Sequence, residues 1–125
     1  MLLKKLHWQG IRFEAMSETE FSIRCSKHNR DRTLHEFLER LTRVPVLFLD
    51  DIGHSATTSK NLEELYHVIE TRTSHKRPII ATTQFTASEL VEKSADRHEK
   101  TIWAIVNRLR EFCEIIPFYA TTHKV

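Results

Sequence analysis

The most constraining feature of this sequence is a run of apolar residues, 46–49, that two adjacent aspartates follow immediately. The run reads Val-Leu-Phe-Leu, without polar residues in alternation. A strand that exposes one face to water alternates polar and apolar residues, whereas a strand covered on both faces is apolar throughout. Residues 46–50 are therefore predicted to form an inner strand of a parallel sheet.

Other apolar segments predict three more strands, at residues 11–15, 79–83 and 114–118. Between the strands, apolar residues at helical spacing predict helices at residues 33–41, 62–72 and 102–112. Ser59 or Asn61 is expected to cap the start of the second of these helices. Strands that alternate with helices of this length predict an α/β fold, in which helices cover a parallel sheet on both faces.

The composition fits a single domain with an ordinary core, since 40% of the 125 residues are hydrophobic. A net charge of +2 does not by itself make a nucleic-acid binder, so any basic surface must be local. The first six residues are broken by charge too early for a signal peptide or membrane span, and a cytoplasmic protein with no membrane partner is expected. Cys25 and Cys113 are predicted to be reduced thiols. Cys25 and His28 have ligand-like spacing, but no second pair completes a zinc site.

Polar residues follow two of the predicted strands, at the edge where ligands of parallel sheets bind. Asp50 and Asp51 are adjacent carboxylates, which need a cation or hydrogen bonds to compensate them. Mg²⁺ prefers oxygen ligands and would supply that compensation. The simpler alternative is that one aspartate caps a turn while the other is solvated. Thr83 and Gln84 end the following strand, and their polar groups are suited to orient a water or contact a terminal phosphate.

Four ordered segments resemble the DnaC/IstB-like helicase-loader ATPases, which are AAA+ proteins of the P-loop NTPase class. The segments are Val-Leu-Phe-Leu-Asp-Asp-Ile-Gly at 46–53, Leu-Glu-Glu-Leu-Tyr-His-Val-Ile-Glu-Thr-Arg at 62–72, Pro-Ile-Ile-Ala-Thr-Thr-Gln at 78–84 and Ile-Val-Asn-Arg-Leu-Arg-Glu-Phe at 105–112. Four blocks in order are more specific than any one of them. The resemblance implies that residues 1–125 are part of an AAA+ ATPase domain.

The resemblance also implies roles for individual residues. ATP and Mg²⁺ are the implied cofactors, with Asp50 holding the metal and Asp51 polarising the attacking water. Thr83 and Gln84 would sense the γ-phosphate, although the family usually has Asn where Gln84 stands. Arg108 matches an arginine that reaches a nucleotide held by the neighbouring subunit, which implies a homo-oligomer. The alternative for Arg108 is a solvated ion pair with a nearby glutamate.

The phosphate-binding loop of this family is missing from the sequence. A G-x-x-x-x-G-K-[ST] motif needs glycines and a lysine, and neither Gly10 nor Gly53 begins one. We expect a domain truncated at its N-terminus, in which residues 1–7 are the end of the helix that follows the loop. Poor nucleotide affinity and impaired hydrolysis are expected. The sheet should also lack the strand between those at 79–83 and 114–118.

A local excess of basic residues begins at position 24. In the loader group this region contributes to binding single-stranded DNA, which implies DNA contacts by Arg24, Lys27, Arg30 and Arg32. Single-stranded DNA also needs exposed aromatic residues for stacking, and of the nearby Phe21 and Phe37 the second is expected to be buried. The alternative is therefore a solvated charged helix. Trp8 and Trp103 are predicted to be packing residues, and Arg72 a structural ion-pair partner.

The leading hypothesis is an ATP-binding protein of DNA replication or transposition that acts as an oligomer on single-stranded DNA and a replicative helicase. An alternative from another class is a non-catalytic interaction module that binds a full-length relative, a helicase or DNA. A third is a general α/β domain whose aspartates are only caps. Nucleotide dependence of binding distinguishes the first two hypotheses.

Overall fold

The computed structural model describes residues 2–53, 58–93 and 99–117, which form a parallel sheet with helices around it. In chain order the elements are α1 (Leu2–Trp8), β1 (Phe13–Ser17), α2 (Glu18–Arg30), α3 (Leu34–Arg43), β2 (Val46–Asp50), α4 (Ser59–Ser74), β3 (Ile79–Ala81), α5 (Ala87–Lys93) and α6 (Glu99–Phe112). The α/β class predicted from the sequence is confirmed. Within these ranges, no helix has both the length and the apolar character that a membrane span requires.

The sheet has the order β1-β2-β3, and both pairs of strands are parallel. β2 is the inner strand with the predicted bounds, whereas β1 begins two residues later than predicted and β3 is shorter. The strand predicted at residues 114–118 is wrong for 114–117, which adopt no regular structure, and residue 118 lies outside the described ranges. A strand needs a hydrogen-bonded neighbour, and the apolar Ile115 and Ile116 are instead 71% and 65% exposed.

The two faces of the sheet are buried to different depths. Both crossovers lead in the same direction across the sheet, and right-handed crossovers of this kind put their helices on the same face. Three strand residues on that face are buried, namely Met16, Leu47 and Leu49, while Glu14 and Ile79 on the same face are half-buried. Residues on the opposite face are half-buried, namely Phe13, Ala15, Val46, Phe48 and Ile80. The core therefore lies between the sheet and the helices α2, α3 and α4.

The start of α4 is capped by Thr58, and the prediction of Ser59 or Asn61 is wrong. Thr58 Oγ1 accepts a hydrogen bond from Asn61 N at 3.2 Å. Asn61 is itself buried, and its amide donates to the hydroxyl of Ser22 on α2 at 3.2 Å. Asn61 therefore joins two helices instead of capping one.

The spacing of apolar residues did not predict the helix α2. Only two of its apolar residues, Phe21 and Cys25, are buried, so the sequence shows no clear apolar face. A capping signal was nevertheless present in the sequence. Ser17 Oγ accepts from Glu20 N at 3.0 Å, and Ser or Thr followed three residues later by Glu is a common helix start.

Arg72 is fully buried on α4 and organises the amino edge of the sheet. Its guanidinium donates to five backbone carbonyls, those of Leu41, Thr42, Val44, Pro45 and Pro78. These carbonyls belong to the end of α3 and to the segments that enter β2 and β3. The predicted structural role is confirmed, but backbone carbonyls replace the expected ion pair. Burial, with a smaller effect of Arg77, lowers the pKa of Arg72 to about 10, so the group stays charged at neutral pH.

Replacing Arg72 by Ala should lower the free energy of unfolding by about 3 kcal/mol or more, because buried carbonyls lose their donor. Urea denaturation measures the change. The matched control is Arg43→Ala, since Arg43 forms an exposed pair with Glu39 at 2.7 Å and should contribute less than about 1 kcal/mol. Equal losses in the two variants would contradict the role given to Arg72.

Candidate functional site

Polar residues end or directly follow all three strands at the carboxyl edge of the sheet. Ser17 at the end of β1 pairs in register with Asp50 at the end of β2. Thr82 follows β3 directly, and Leu49 pairs with Ala81 one position earlier. The predicted convergence of Asp50, Asp51 and the end of β3 at a single edge is therefore confirmed.

Thr82 connects the ends of β2 and β3. Its backbone N donates to Leu49 O at 2.9 Å, and its carbonyl accepts from Ile52 N at 2.9 Å. Its side-chain Oγ1 donates to the carboxylate of Asp50 and accepts from Asp51 N at 3.1 Å. One side chain thus orients the first aspartate and begins the turn that presents the second.

The turn after β2 requires two residues with positive φ, Asp51 at 53° and Gly53 at 105°. Aspartate tolerates the left-handed region better than most residues do, and glycine adopts it without steric cost. A Cβ added to Gly53 would lie 2.5 Å from a methyl carbon of Leu90 and 2.8 Å from the ring of Phe85. Close packing and backbone conformation together therefore demand glycine here.

Glu18 closes this turn from the other side and was missed by sequence reasoning. Its carboxylate is buried at the start of α2, and Oε1 accepts a hydrogen bond from Gly53 N at 2.8 Å. The signal was its position immediately after a strand. Because β1 was predicted to end at residue 15 and not at 17, Glu18 did not stand out as a strand-end residue. Sequence reasoning also did not single out Thr82, and the phosphate contacts were predicted for its neighbours Thr83 and Gln84.

Thr83 and Gln84 differ in how much of their hydrogen-bonding capacity remains. The Thr83 hydroxyl donates to Ile52 O at 2.6 Å and accepts from Phe85 N at 3.2 Å. Its single hydrogen therefore holds the turn against the end of β3 and would have to leave Ile52 to reach a phosphate. Gln84 follows with an exposed side chain. The phosphate-sensing roles of both residues stay predictions, with Gln84 the better placed donor.

The aspartates suit Mg²⁺ that arrives with a nucleotide. Among the described residues, no three His, Cys, Asp or Glu side chains are grouped as a metal cage. Mg²⁺ is typically held by one or two carboxylates, with waters and phosphate oxygens completing its octahedron. Asp50, oriented by Thr82 and exposed at the strand end, fits such a ligand. When bound, the ion would neutralise charge on the phosphates.

Arg108 lies far from the aspartates. On α6, its Nε donates to Thr73 Oγ1 at 2.9 Å and a terminal nitrogen donates to Ser74 Oγ at 2.7 Å. Those two residues end α4, whose start follows the turn after β2. A helix of 16 residues spans roughly 24 Å at about 1.5 Å per residue. Arg108 is therefore too distant to contact a nucleotide held by Asp50 of the same chain.

The basic segment contributes fewer accessible cations than the sequence predicted. Arg24 pairs with Glu20 at 2.7 Å and lies 3.8 Å from Glu14, so its charge is largely compensated. Three other members of the set are exposed, namely Lys27, Arg30 and Arg32. The DNA contacts of this segment stay a prediction, and these three residues are its accessible cations.

The predictions for the aromatic residues are confirmed only for Phe37, which is buried as expected. Phe21 is buried along with Phe37, so neither is available to stack on a base beside the basic segment. Trp8 and Trp103 are 85% and 51% exposed, and the prediction that they are packing residues is wrong. Both indoles are therefore accessible on the part of the surface that the structure describes.

The two cysteines are free, as predicted. Burial, with a contribution from Glu64, raises the pKa of Cys25 to about 12. Burial also raises the pKa of Cys113. Since the thiolate is the reactive and metal-binding form, neither cysteine is activated at neutral pH.

The parallel sheet surrounded by helices is a fold that similar solved structures share with this chain. One is described as a DNA replication initiation factor, with TM-score 0.73 and 21% identity over 88% of this chain and 32% of that chain. Another is the replication initiator DnaA bound to AMPPCP and single-stranded DNA, with TM-score 0.72, 21% identity and the same coverage. The DnaC helicase loader matches with TM-score 0.64 and 24% identity over 87% of this chain and 62% of that chain.

The family itself follows from the sequence. The family model described as IstB-like ATP binding protein matches residues 6–124, and the chain belongs to this family. No curated protein matches the chain. The 125-residue chain spans about a third of the length of the first two similar structures, at 32% of each.

Replacing Gly53 by Ala should lower the free energy of unfolding by about 2–4 kcal/mol, through left-handed backbone strain and overpacking against two side chains. Gly10→Ala is the matched control, because Gly10 has φ 72° but nothing within 4 Å of an added Cβ. Strain alone should cost the control about 1 kcal/mol. Calorimetric or urea unfolding measures both, and a loss in Gly10→Ala as large as in Gly53→Ala would show that packing at the turn is unimportant.

Proposed function

We propose that residues 1–125 are part of an AAA+ domain of the helicase-loader type, which acts in DNA replication or transposition. The observation that carries the proposal is the junction at Thr82, where one hydroxyl orients Asp50 and starts the turn that presents Asp51. Membership of the IstB-like ATP binding family supports ATP as the ligand of this edge. A cytoplasmic location is part of the proposal.

The proposed roles follow the positions of the side chains. Asp50 holds Mg²⁺, and Asp51, exposed on the turn, orients and polarises the attacking water. Gln84, with Thr83 as its neighbour, contacts the γ-phosphate at the same edge. Arg108 contacts the nucleotide of a neighbouring subunit. It lies about the length of α4 from Asp50, which is too far to reach a nucleotide bound by its own chain.

Nucleotide binding by these 125 residues alone is proposed to be weak and hydrolysis impaired. The sequence contains two glycines and no G-x-x-x-x-G-K-[ST] motif, so it has no loop of backbone N–H groups around the phosphates. Carboxylates repel a triphosphate and contribute only through the cation between them. Useful activity would therefore need a full-length relative that supplies the phosphate-binding loop.

The proposed partners are single-stranded DNA and a replicative helicase. Similar structures include DnaA bound to single-stranded DNA and the DnaC helicase loader, which makes both partners reasonable for this chain. On the chain itself, exposed cations at and just after the end of α2 would supply phosphate contacts, namely Lys27, Arg30 and Arg32. Arg24, which pairs with Glu20, would contribute less.

A non-catalytic interaction module is the second candidate, and the missing phosphate-binding motif favours it. Such a module would use the same fold to bind a full-length relative, a helicase or DNA. Its binding would not depend on nucleotide. Nucleotide dependence therefore separates the two candidates in a direct measurement.

Titration of a fluorescent ATP analogue in the presence of Mg²⁺ should give a dissociation constant on the order of 1 mM, with turnover indistinguishable from background. Chelating the metal should weaken binding further, and Asp50→Asn should abolish this metal dependence. Asp31→Asn is the control, since Asp31 is an exposed carboxylate at the end of α2.

Micromolar affinity with sustained turnover would contradict the argument from the missing loop. Binding that ignores Mg²⁺ in the wild-type chain would instead contradict the role of Asp50. Complete absence of nucleotide binding, together with retained binding to DNA, would favour the interaction module.

A further inference from the structure

A cleft of ≈ 880 Å³ opens at the amino edge of the sheet, the edge opposite to the aspartates. It lies between the connection from α1 to β1 and the last turns of α3. Four basic side chains line it against a single acidic one, Glu14, and they are His7, Arg12, Arg40 and Arg43. The cleft therefore carries a positive charge that the near-neutral composition of the chain does not reveal.

The charge of this cleft is only partly compensated. Glu14, which is 27% exposed, lies 3.8 Å from Arg40, and Arg43 pairs with Glu39 at 2.7 Å. The Arg43 side chain is 71% exposed, against 35% for Arg24, so a competing anion can displace its partner. Arg12 is exposed, and the described residues offer it no ion pair. The first 13 residues add Lys4 and Lys5 and contain no Asp or Glu. The sequence that leads into the cleft therefore carries basic residues and no acidic ones.

An exposed tryptophan directly follows a lining residue of the cleft in sequence. Trp8 is 85% exposed and lies in sequence between the lining residues His7 and Gly10. Its backbone is fixed, because α1 ends in a turn where Gly10 N donates to His7 O at 3.0 Å and Gly10 has φ 72°. A large aromatic ring that is exposed to water and adjacent in sequence to a lining residue of a basic cleft has the chemistry of a platform on which an unpaired base stacks.

We propose that Trp8 and the cleft form a binding surface for single-stranded nucleic acid. Phosphates contact Arg12 and Arg43, and one base stacks on the indole of Trp8. A duplex keeps its bases paired and offers no face to the indole, so the surface prefers single strands. The inference rests on the proposed DNA partner and adds a surface separate from the basic residues of α2.

The test is fluorescence anisotropy of a labelled oligothymidylate with the 125-residue chain at several salt concentrations. Trp8→Ala should weaken binding about tenfold through the loss of base stacking. Arg12→Ala with Arg43→Ala should weaken it on the order of tenfold and reduce the slope of log affinity against log salt by about 1.4, at roughly 0.7 per phosphate contact.

Matched controls come from α6, which carries an exposed tryptophan and exposed cations of its own. Trp103→Ala, and Lys100→Ala with Arg110→Ala, remove the same chemistry from a different surface and should leave affinity within about twofold. Unchanged thermal unfolding midpoints verify that each variant is folded. A duplex of the same length should bind the wild-type chain more weakly than the single strand.

Losses in the α6 variants equal to those in the cleft variants would overturn the proposal, since bulk charge would then explain binding. Unchanged binding in the cleft variants would overturn it while leaving the DNA partner in place. Polyglutamate that competes as well as DNA, with no effect of Trp8→Ala, would show an acidic polypeptide as the ligand and would also overturn it. Failure of the wild-type chain to bind any DNA would remove the DNA partner, whereas the nucleotide site is judged separately by its Mg²⁺ dependence.

Discussion

Parallel neighbouring strands are joined by crossovers, and this constraint decides where the polar groups of the candidate nucleotide site lie. Each crossover returns the chain to the amino edge of the sheet, so the three strand ends meet at the opposite edge. Asp50 and Thr82 become neighbours there although 31 residues separate them in sequence. Their hydroxyl-to-carboxylate bond and the backbone pairing of Thr82 with Leu49 and Ile52 extend the ladder just beyond β3.

The two edges of the sheet are stabilised by different chemistry and serve different proposed partners. At the carboxyl edge, Glu18 and Thr82 hold a turn with an exposed acidic pair, which suits a metal-bound nucleotide. At the amino edge, Arg72 satisfies the carbonyls of the segments that enter β2 and β3, and cationic surfaces lie nearby. Arg108 is held at the end of α4 that lies far from Asp50, so its proposed contact is with a neighbouring subunit. The proposed nucleic-acid surface at the amino edge is likewise separate from the nucleotide site.

The elements that the sequence predicted well are those whose signal is local and strong. The uninterrupted apolar run of β2 fixed its bounds, and the aspartates followed from the strand-end rule. The strand predicted at 114–118 failed because apolar character does not supply a hydrogen-bonding neighbour. The role of Glu18 was not predicted because the end of β1 was placed two residues too early. The hydrogen bonds of Arg72 to backbone carbonyls depend on tertiary contacts, which no local sequence pattern encodes.

The most direct measurement of the central claim is the anomalous scattering of Mn²⁺ in crystals of the chain grown with a non-hydrolysable ATP analogue. The account predicts one strong peak at the carboxyl edge, about 2.1 Å from a carboxylate oxygen of Asp50 or bridged to it by a single water, with Thr82 still bonded to that carboxylate. A nucleotide and metal bound at another edge, or Asp50 and Thr82 on opposite rims of the sheet, would contradict it.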